Sequence, residues 1–206
     1  MKGYSQDNQD VILNDMFFKN KERGVFVDIG AYDGVEKSNT YAYETILGWS
    51  GICVEPILGR YQELAKNRRC TCIHGAVSDK DQDMVEFCEI EGYSEMLSGI
   101  LEDYDANHKR RIINEGSKRK KVSYKNYRIN DILNANKITN IDLLDIDTEG
   151  NELKILKDID FEAISIDVIL AECNYGNLVA DMKKFLEEKQ FRYVTSIGGD
   201  LVFKRI

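Results

Sequence analysis

The apolar, β-branched runs of this 206-residue chain end in a consistent way: five in a row stop on polar or acidic residues. The ends are Asp28 with Gly30, Glu55, Ser78 with Asp79, Asp145 with Asp147, and Glu172 with Asn174. Ligands of an open parallel sheet bind beyond that edge of the strands. Loop polarity alone is a poor account of five corresponding positions. Residues 25–40, VFVDIGAYDGVEKSNT, read as a strand, a glycine turn and a helix start. Gly30 and Gly34 let backbone N–H groups approach a ligand closely. A dinucleotide fold prefers GxGxxG, whose second glycine admits a pyrophosphate; here the turn is Gly30-Ala31-Tyr32-Asp33-Gly34. Asp28 and Asp33 would repel a pyrophosphate but suit a ligand with an amino group and a sulfonium. Glu55 is placed to accept both hydroxyls of a ribose. The pattern therefore predicts S-adenosylmethionine in preference to NAD. Ser38, Asn39 and Thr40 are good helix-capping types, and at Ser38 and Asn39 capping and ligand contact both stay open.

Those strand ends require an ordered set of elements. Ile12, Leu13, Met16 and Phe17 at helical spacing predict a helix over 5–20 with Ser5 as its N-cap. After the glycine turn come a helix from Tyr41 to Leu47 stopped by Gly48, a strand over 49–55, a helix over 58–67, and a strand over 71–77. Residues 83–90 read as an edge strand. Residues 92–127 show no clean period beyond a short helix over 101–114, and read as a substrate-side insertion in a single domain over 1–206. Tyr93, Ser94, Met96 and Ser98 in this stretch are candidates for an acceptor pocket. Regularity returns with a helix over 129–134, a strand over 141–147, a helix from Glu152, a strand over 168–172, and a helix over 178–190 with Leu178, Met182, Phe185 and Leu186 on one face. Strands over 192–197 and 200–205 then form a hairpin at Gly198-Gly199. Alternating strands and helices predict an α/β fold around a parallel sheet with right-handed crossovers.

Composition narrows the classes. The chain is 43% hydrophobic and 31% charged, with no apolar run long enough to span a membrane and no apolar leader at its N-terminus, so a cytoplasmic protein is expected. A formal charge of −8 argues against a nucleic-acid binder. Residues 109–121 run against that balance, with seven basic residues and one acid, leaving about −14 on the remainder by subtraction from −8. This segment is read as a solvated face, with an anion-facing lip on the site as the alternative. Five cysteines without CxxC spacing fit reduced thiols. His74, inside a strand, is expected to be packed and hydrogen-bonded.

FVDIGAYDG followed by SNT, then GWSGICVEP, HGAVSD, SGI with a downstream histidine, and LLDIDTEGNE resemble the FkbM family of S-adenosylmethionine-dependent methyltransferases. The resemblance runs from about Ser5 to Asn174, and the final hairpin matches the seven-stranded class I methyltransferase sheet, Rossmann-like and mostly parallel with helices on both faces. It implies an O-methyltransferase of a sugar or glycan hydroxyl. It places Asp28, Gly30, Ala31 and Gly34 under the methionine and ribose, Glu55 on the ribose hydroxyls, Val77 and Ser78 beside the adenine, Asp79 near its amino group, and Asp145 facing the methionine. A sugar hydroxyl is a poor nucleophile, and an ordinary carboxylate is a weak base for it. Either a carboxylate has a raised pKa or a metal acidifies the hydroxyl. Asp147 is the first candidate base and His108 the second, its intrinsic pKa lying near neutrality. Asp147, Glu172 and Asn174 together offer hard oxygen ligands for Mg²⁺ or another divalent cation. The alternatives are a noncatalytic glycan- or protein-binding module on the same fold, and an NAD-dependent oxidoreductase.

Overall fold

In a computed structural model the described residues are 2–92, 94–104, 106–114, 118–173 and 176–206, without the side chains of 106–108 and 176–177. The chain opens with α1 (Gln9–Leu13), which continues as a π-helical turn (Asn14–Phe18). There follow β1 (Val25–Ile29), α2 (Tyr41–Leu47), β2 (Ser50–Glu55), α3 (Leu58–Asn67), β3 (Thr71–His74), β4 (Ala76–Val77) and β5 (Met84–Ile90). A 3₁₀ turn (Glu95–Leu97) leads to β6 (Gly99–Ile100), α4 (Ala106–Asn114) and β7 (Arg119–Tyr127). The last third comprises α5 (Ile129–Ala135), β8 (Asn140–Ile146), α6 (Glu152–Asp158), β9 (Ser165–Glu172), α7 (Gly176–Glu188), β10 (Phe191–Ile197) and β11 (Asp200–Arg205).

Seven strands form one sheet in the order β10-β11-β9-β8-β1-β2-β3. All pairings are parallel except those of β11, which inserts antiparallel between β9 and β10. The expected α/β fold, Rossmann-like with a C-terminal antiparallel hairpin, is therefore present. Each side of the sheet carries its own core. On one, Val27, Ile29, Leu144 and Ile146 meet Ile132 and Leu133 of α5, Ile155 and Leu156 of α6, and Met182 and Leu186 of α7. On the other, Phe26, Cys53, Leu143 and Val168 meet Leu13, Tyr43 of α2 and Leu64 of α3. Burial on both faces explains why the strands read as nearly unbroken apolar runs.

Several expectations need correction. The N-terminal helix starts at Gln9 with Asn8, not Ser5, in the N-cap position; Ser5 is bridged to Lys37, and its hydroxyl accepts from the Asp10 N–H at 3.1 Å and donates to Asp10 Oδ1 at 2.7 Å. The strand expected over 71–77 is two strands in different sheets. Gly75, at φ +154°, makes the break, and a Cβ there would lie 2.6 Å from the Tyr127 ring and 2.7 Å from the Lys125 carbonyl oxygen. Beyond it, β4 joins a second sheet in the order β4-β7-β5-β6. Residues 83–90 thus hold an interior strand of that sheet, and the stretch read as aperiodic contains the nine-residue strand β7. Nor does a helix fill 101–114; α4 spans only its second part. No helix among the described residues is long and apolar enough to cross a membrane. His74 is packed as expected, its Nε2 3.0 Å from the Pro56 carbonyl oxygen and its ring stacked on Tyr61. The five cysteines are free thiols.

Trp49 locks the N-terminal turn onto the sheet. Its indole stacks on Tyr43 at 4.7 Å, meets Phe18 edge-on at 4.9 Å, and donates from Nε1 to the Lys21 carbonyl at 2.7 Å. Trp49→Ala should destabilise the chain by about 3–5 kcal/mol. Ile46→Ala, at a half-exposed position of α2, should change stability by less than about 0.5 kcal/mol. Urea unfolding of both variants checks the contrast.

Candidate functional site

The carboxyl edge of β1, β2, β8 and β9 carries the acids that the sequence singled out. Parallel pairing sets Asp28 directly beside Asp145, both buried. Residues 38–40, which lead into α2, meet this pair. Thr40 Oγ1 donates to Asp28 Oδ2 at 2.5 Å, and Asn39 Nδ2 donates to Asp145 Oδ1 at 3.2 Å. Asn39 Oδ1 is buried without a partner. Ser38 Oγ accepts from the Tyr41 N–H at 3.1 Å, so it caps the helix as well as lining the cleft. At the end of β2, Glu55 Oε2 accepts from the Tyr32 N–H at 3.0 Å and Oε1 from the Ile57 N–H at 2.7 Å.

Two adjoining cavities lie over this edge. The narrow one, about 70 Å³, is a largely apolar slot walled by Val54, Ile57, Val77, Phe87 and Ile100, with Glu55 at its side. The wide one, about 600 Å³, is walled by Asp28, Ala31, Asn39, Asp145, Glu172 and Asp200 among others. Gly30, Tyr32, Glu95, Met96, Asp147 and Glu149 border both. Gly30 stands there for a packing reason, since at φ +94° a Cβ would overlap the Asp147 carbonyl oxygen. The 3₁₀ turn closes over the junction. Glu95 accepts from the Tyr32 hydroxyl at 3.1 Å and from Arg60 Nε at 3.0 Å, while the Arg60 guanidinium lies 4.4 Å from the Tyr32 ring centre.

Burial dominates the electrostatics. It pushes Glu55 up to about 8, against the two backbone N–H donors that favour its charged form. Asp28 is raised by burial, opposed by the Arg68 charge and the Thr40 hydroxyl. Asp145 is raised well above the usual carboxylate range by burial and by the Asp28 charge. Asp147 and Glu149 are raised likewise by burial and then by neighbouring carboxylates, Glu172 first. Asp200 is pushed up to about 6, again by burial first.

Asp147, Glu149 and Glu172 each bring a carboxylate oxygen within 4.8 Å of the others. That donor set suits a hard divalent cation. A carboxyl of raised pKa in the same place can also take a proton from a hydroxyl. Glu149 was not singled out in the sequence, where Glu149-Gly150-Asn151 reads as a helix N-terminus. The helix does start there, with Asn151 in the N-cap position of α6, and Glu149 sits just before it at φ +60° in a tight turn that Glu152 satisfies by accepting from the Thr148 and Gly150 N–H groups at 2.9 and 3.0 Å.

Three expected ligand contacts point elsewhere. The Gly34 carbonyl accepts from Arg68 Nη1 at 3.1 Å, Ser78 Oγ donates to Asn126 Oδ1 at 2.8 Å, and Asp79 is exposed; none of the three borders either cavity. Ser94 and Met96 border the wide cavity, Met96 and Ser98 the narrow one. Among the described residues, Arg111 alone brings the basic segment to the wide cavity, with Glu149 close enough to feel its charge. The His108 side chain, Asn174 and Tyr93 lie outside the described residues.

Among known proteins, the model of the methyltransferase FkbM domain matches residues 28–193. No curated protein matches the chain. Similar solved structures include a precorrin-6y C5,15-methyltransferase from Geobacter metallireducens GS-15, at 11% identity and TM-score 0.50, covering 96% of this chain and 86% of that one. The N-terminal domain of human METTL16 aligns at 11% identity and TM-score 0.51, covering 95% of this chain and 67% of that one. A methyltransferase FkbM from Methylobacillus flagellatus KT aligns at 14% identity and TM-score 0.49, covering 90% of this chain; the chain spans only 44% of that one. The first two show a shared fold.

The raised acids predict how stability follows pH. A carboxyl that holds its proton above the ordinary range in the folded state stabilises the fold at low pH, and that stability is lost as the pH climbs through its folded pKa. Asp147→Asn removes this loss at one member of the trio. Its melting temperature should exceed wild type at about pH 8 by about 2–4 °C, the shift that about 1 kcal/mol gives in a chain of this size. The gap should close towards about pH 4. Scanning calorimetry across that range checks it, and a variant less stable than wild type at the upper end contradicts it.

Proposed function

The chain belongs to the FkbM methyltransferase domain family, and on that premise we propose that it transfers a methyl group from S-adenosylmethionine to a hydroxyl of a sugar or glycan. The observation that carries this reading is the junction of the two cavities, where an apolar slot beside a buried carboxylate opens onto a wide, acid-walled chamber.

The residues fit the cofactor. Glu55 would take the ribose hydroxyls, because its carboxylate is fixed by two backbone N–H groups and borders the slot. Val77, Phe87 and Ile100 would cover the adenine with apolar surface. Asp28, Asp145 and the unpartnered Asn39 Oδ1 would receive the methionine ammonium, with Gly30 and Ala31 forming the floor. S-adenosylmethionine supplies an electrophilic methyl group on a sulfonium. Its net positive charge offsets the repulsion among the buried acids, whereas a pyrophosphate would add to it.

Asp147 borders both cavities and is our candidate base. Burial among carboxylates gives it the basicity that an ordinary aspartate lacks. Glu172 stands beside it, and His108 is the alternative base. Asp147, Glu149 and Glu172 would also hold a divalent cation such as Mg²⁺, which would acidify a hydroxyl bound to it. Carboxylates and amides on the chamber wall, among them Gln9 and Asp200, suit the hydroxyls of a sugar.

Incubation with methyl-labelled cofactor and candidate glycans, followed by mass spectrometry, tests the acceptor. Label on a sugar oxygen is expected; label on nitrogen or carbon contradicts the reading. Asp147→Asn should lower turnover by about 10²–10⁴-fold while cofactor affinity stays within a few-fold. If a cation is held, a chelator should abolish turnover and Mg²⁺ restore it. Turnover untouched by the chelator removes the cation.

A further inference from the structure

Arg68 is the most enclosed cation described, with no side-chain exposure, and it touches no cavity. It forms an ion pair with Glu44, whose other oxygen accepts from the Arg69 and Cys70 N–H groups at 2.8 and 2.7 Å. From this anchor Nη1 donates to the Gly34 carbonyl at 3.1 Å and to Ser38 Oγ at 3.3 Å, and Nη2 donates to Thr40 Oγ1 at 3.0 Å. A guanidinium can only donate, and a hydroxyl has a single proton. Thr40 must therefore accept from Arg68 and direct its own proton to Asp28 Oδ2. The other Asp28 oxygen takes no hydrogen bond among the described residues, and Asp28 borders the wide cavity.

We propose that Thr40 is a positioning residue for the cofactor: polarised by Arg68, its hydroxyl orients the Asp28 carboxylate so that one oxygen stays turned to the methionine half of the cleft. The inference rests on the proposed cofactor site and adds to it a residue that itself borders neither cavity. The same arginine holds Ser38 and the Gly34 carbonyl, so the turn and the carboxylate share one anchor. The bond is not a helix cap, because the N–H groups of Thr40 and Tyr41 donate to Ser38 Oγ, at 3.3 and 3.1 Å.

Thr40→Val keeps volume and branching and removes only the hydroxyl; Thr40→Ser keeps the hydroxyl. Equilibrium binding of labelled S-adenosylmethionine and melting temperature are measured on wild type and both variants. Thr40→Val should bind about tenfold more weakly. Thr40→Ser should stay within about twofold of wild type in binding and about 3 °C in melting temperature, while Thr40→Val, which leaves the buried Arg68 Nη2 donor unpaired, should melt about 2–10 °C lower and still unfold cooperatively. Equal binding by Thr40→Val overturns the inference. So does weak binding by Thr40→Ser, or a Thr40→Val loss that comes with a collapse in melting temperature, which marks a merely structural hydroxyl. A wild-type chain that binds no S-adenosylmethionine overturns the cofactor reading itself, and the two failures are distinct.

Discussion

Parallel pairing of β1 with β8 puts the Asp28 and Asp145 carboxylates side by side inside the protein, and much of the surrounding structure answers to that crowding. Like charges on adjacent strands in a low-dielectric interior repel strongly. Each is met by a different residue of one short loop: Thr40 reaches Asp28, Asn39 reaches Asp145. Arg68, fixed by Glu44, supplies a compensating positive charge from behind. The glycine turn, the loop, α2 and the segment just after α3 are thus tied together by the need to house two acids. A fold seeking only stability would place apolar residues there. The acids suit the cationic cofactor proposed for this cleft.

The second sheet completes the cleft. Its strands β5 and β6 contribute Phe87 and Ile100 to the apolar slot, and the turn between them sends Glu95 across to Arg60 and Tyr32. The main sheet alone would leave the carboxyl edge open to water. Excluding water there strengthens every charge interaction within it.

Legibility from sequence followed the range of the interactions. The helices Tyr41–Leu47 and Leu58–Asn67 are written locally, by apolar spacing and by Gly48 at a left-handed C-terminus, and their ends were foreseen to the residue. Strand-end acids were visible because both faces of each strand are apolar up to the acid. The strand β7 was not, because its RKKVSYKNY is rich in exposed lysines and its partners lie about 30 to 50 residues away. The break at Gly75 likewise depends on Tyr127, far along the chain. Thr40 closes the Ser38-Asn39-Thr40 signature, but nothing in that signature points to Arg68; only tertiary contact brings the arginine to a loop that precedes it by 28 residues. Glu149-Gly150-Asn151 does lead into a helix, as an acid there suggests, but the left-handed turn that carries Glu149 to the site is invisible without the backbone.

Calorimetric titration with S-adenosylmethionine and, separately, with NAD tests the account at its centre, with Glu55→Ala as the control. Saturable binding of S-adenosylmethionine, at least about tenfold weaker in Glu55→Ala, and no binding of NAD is the result predicted from a buried carboxylate on the ribose. No heat with S-adenosylmethionine, binding indifferent to Glu55, or preferential binding of NAD would contradict it.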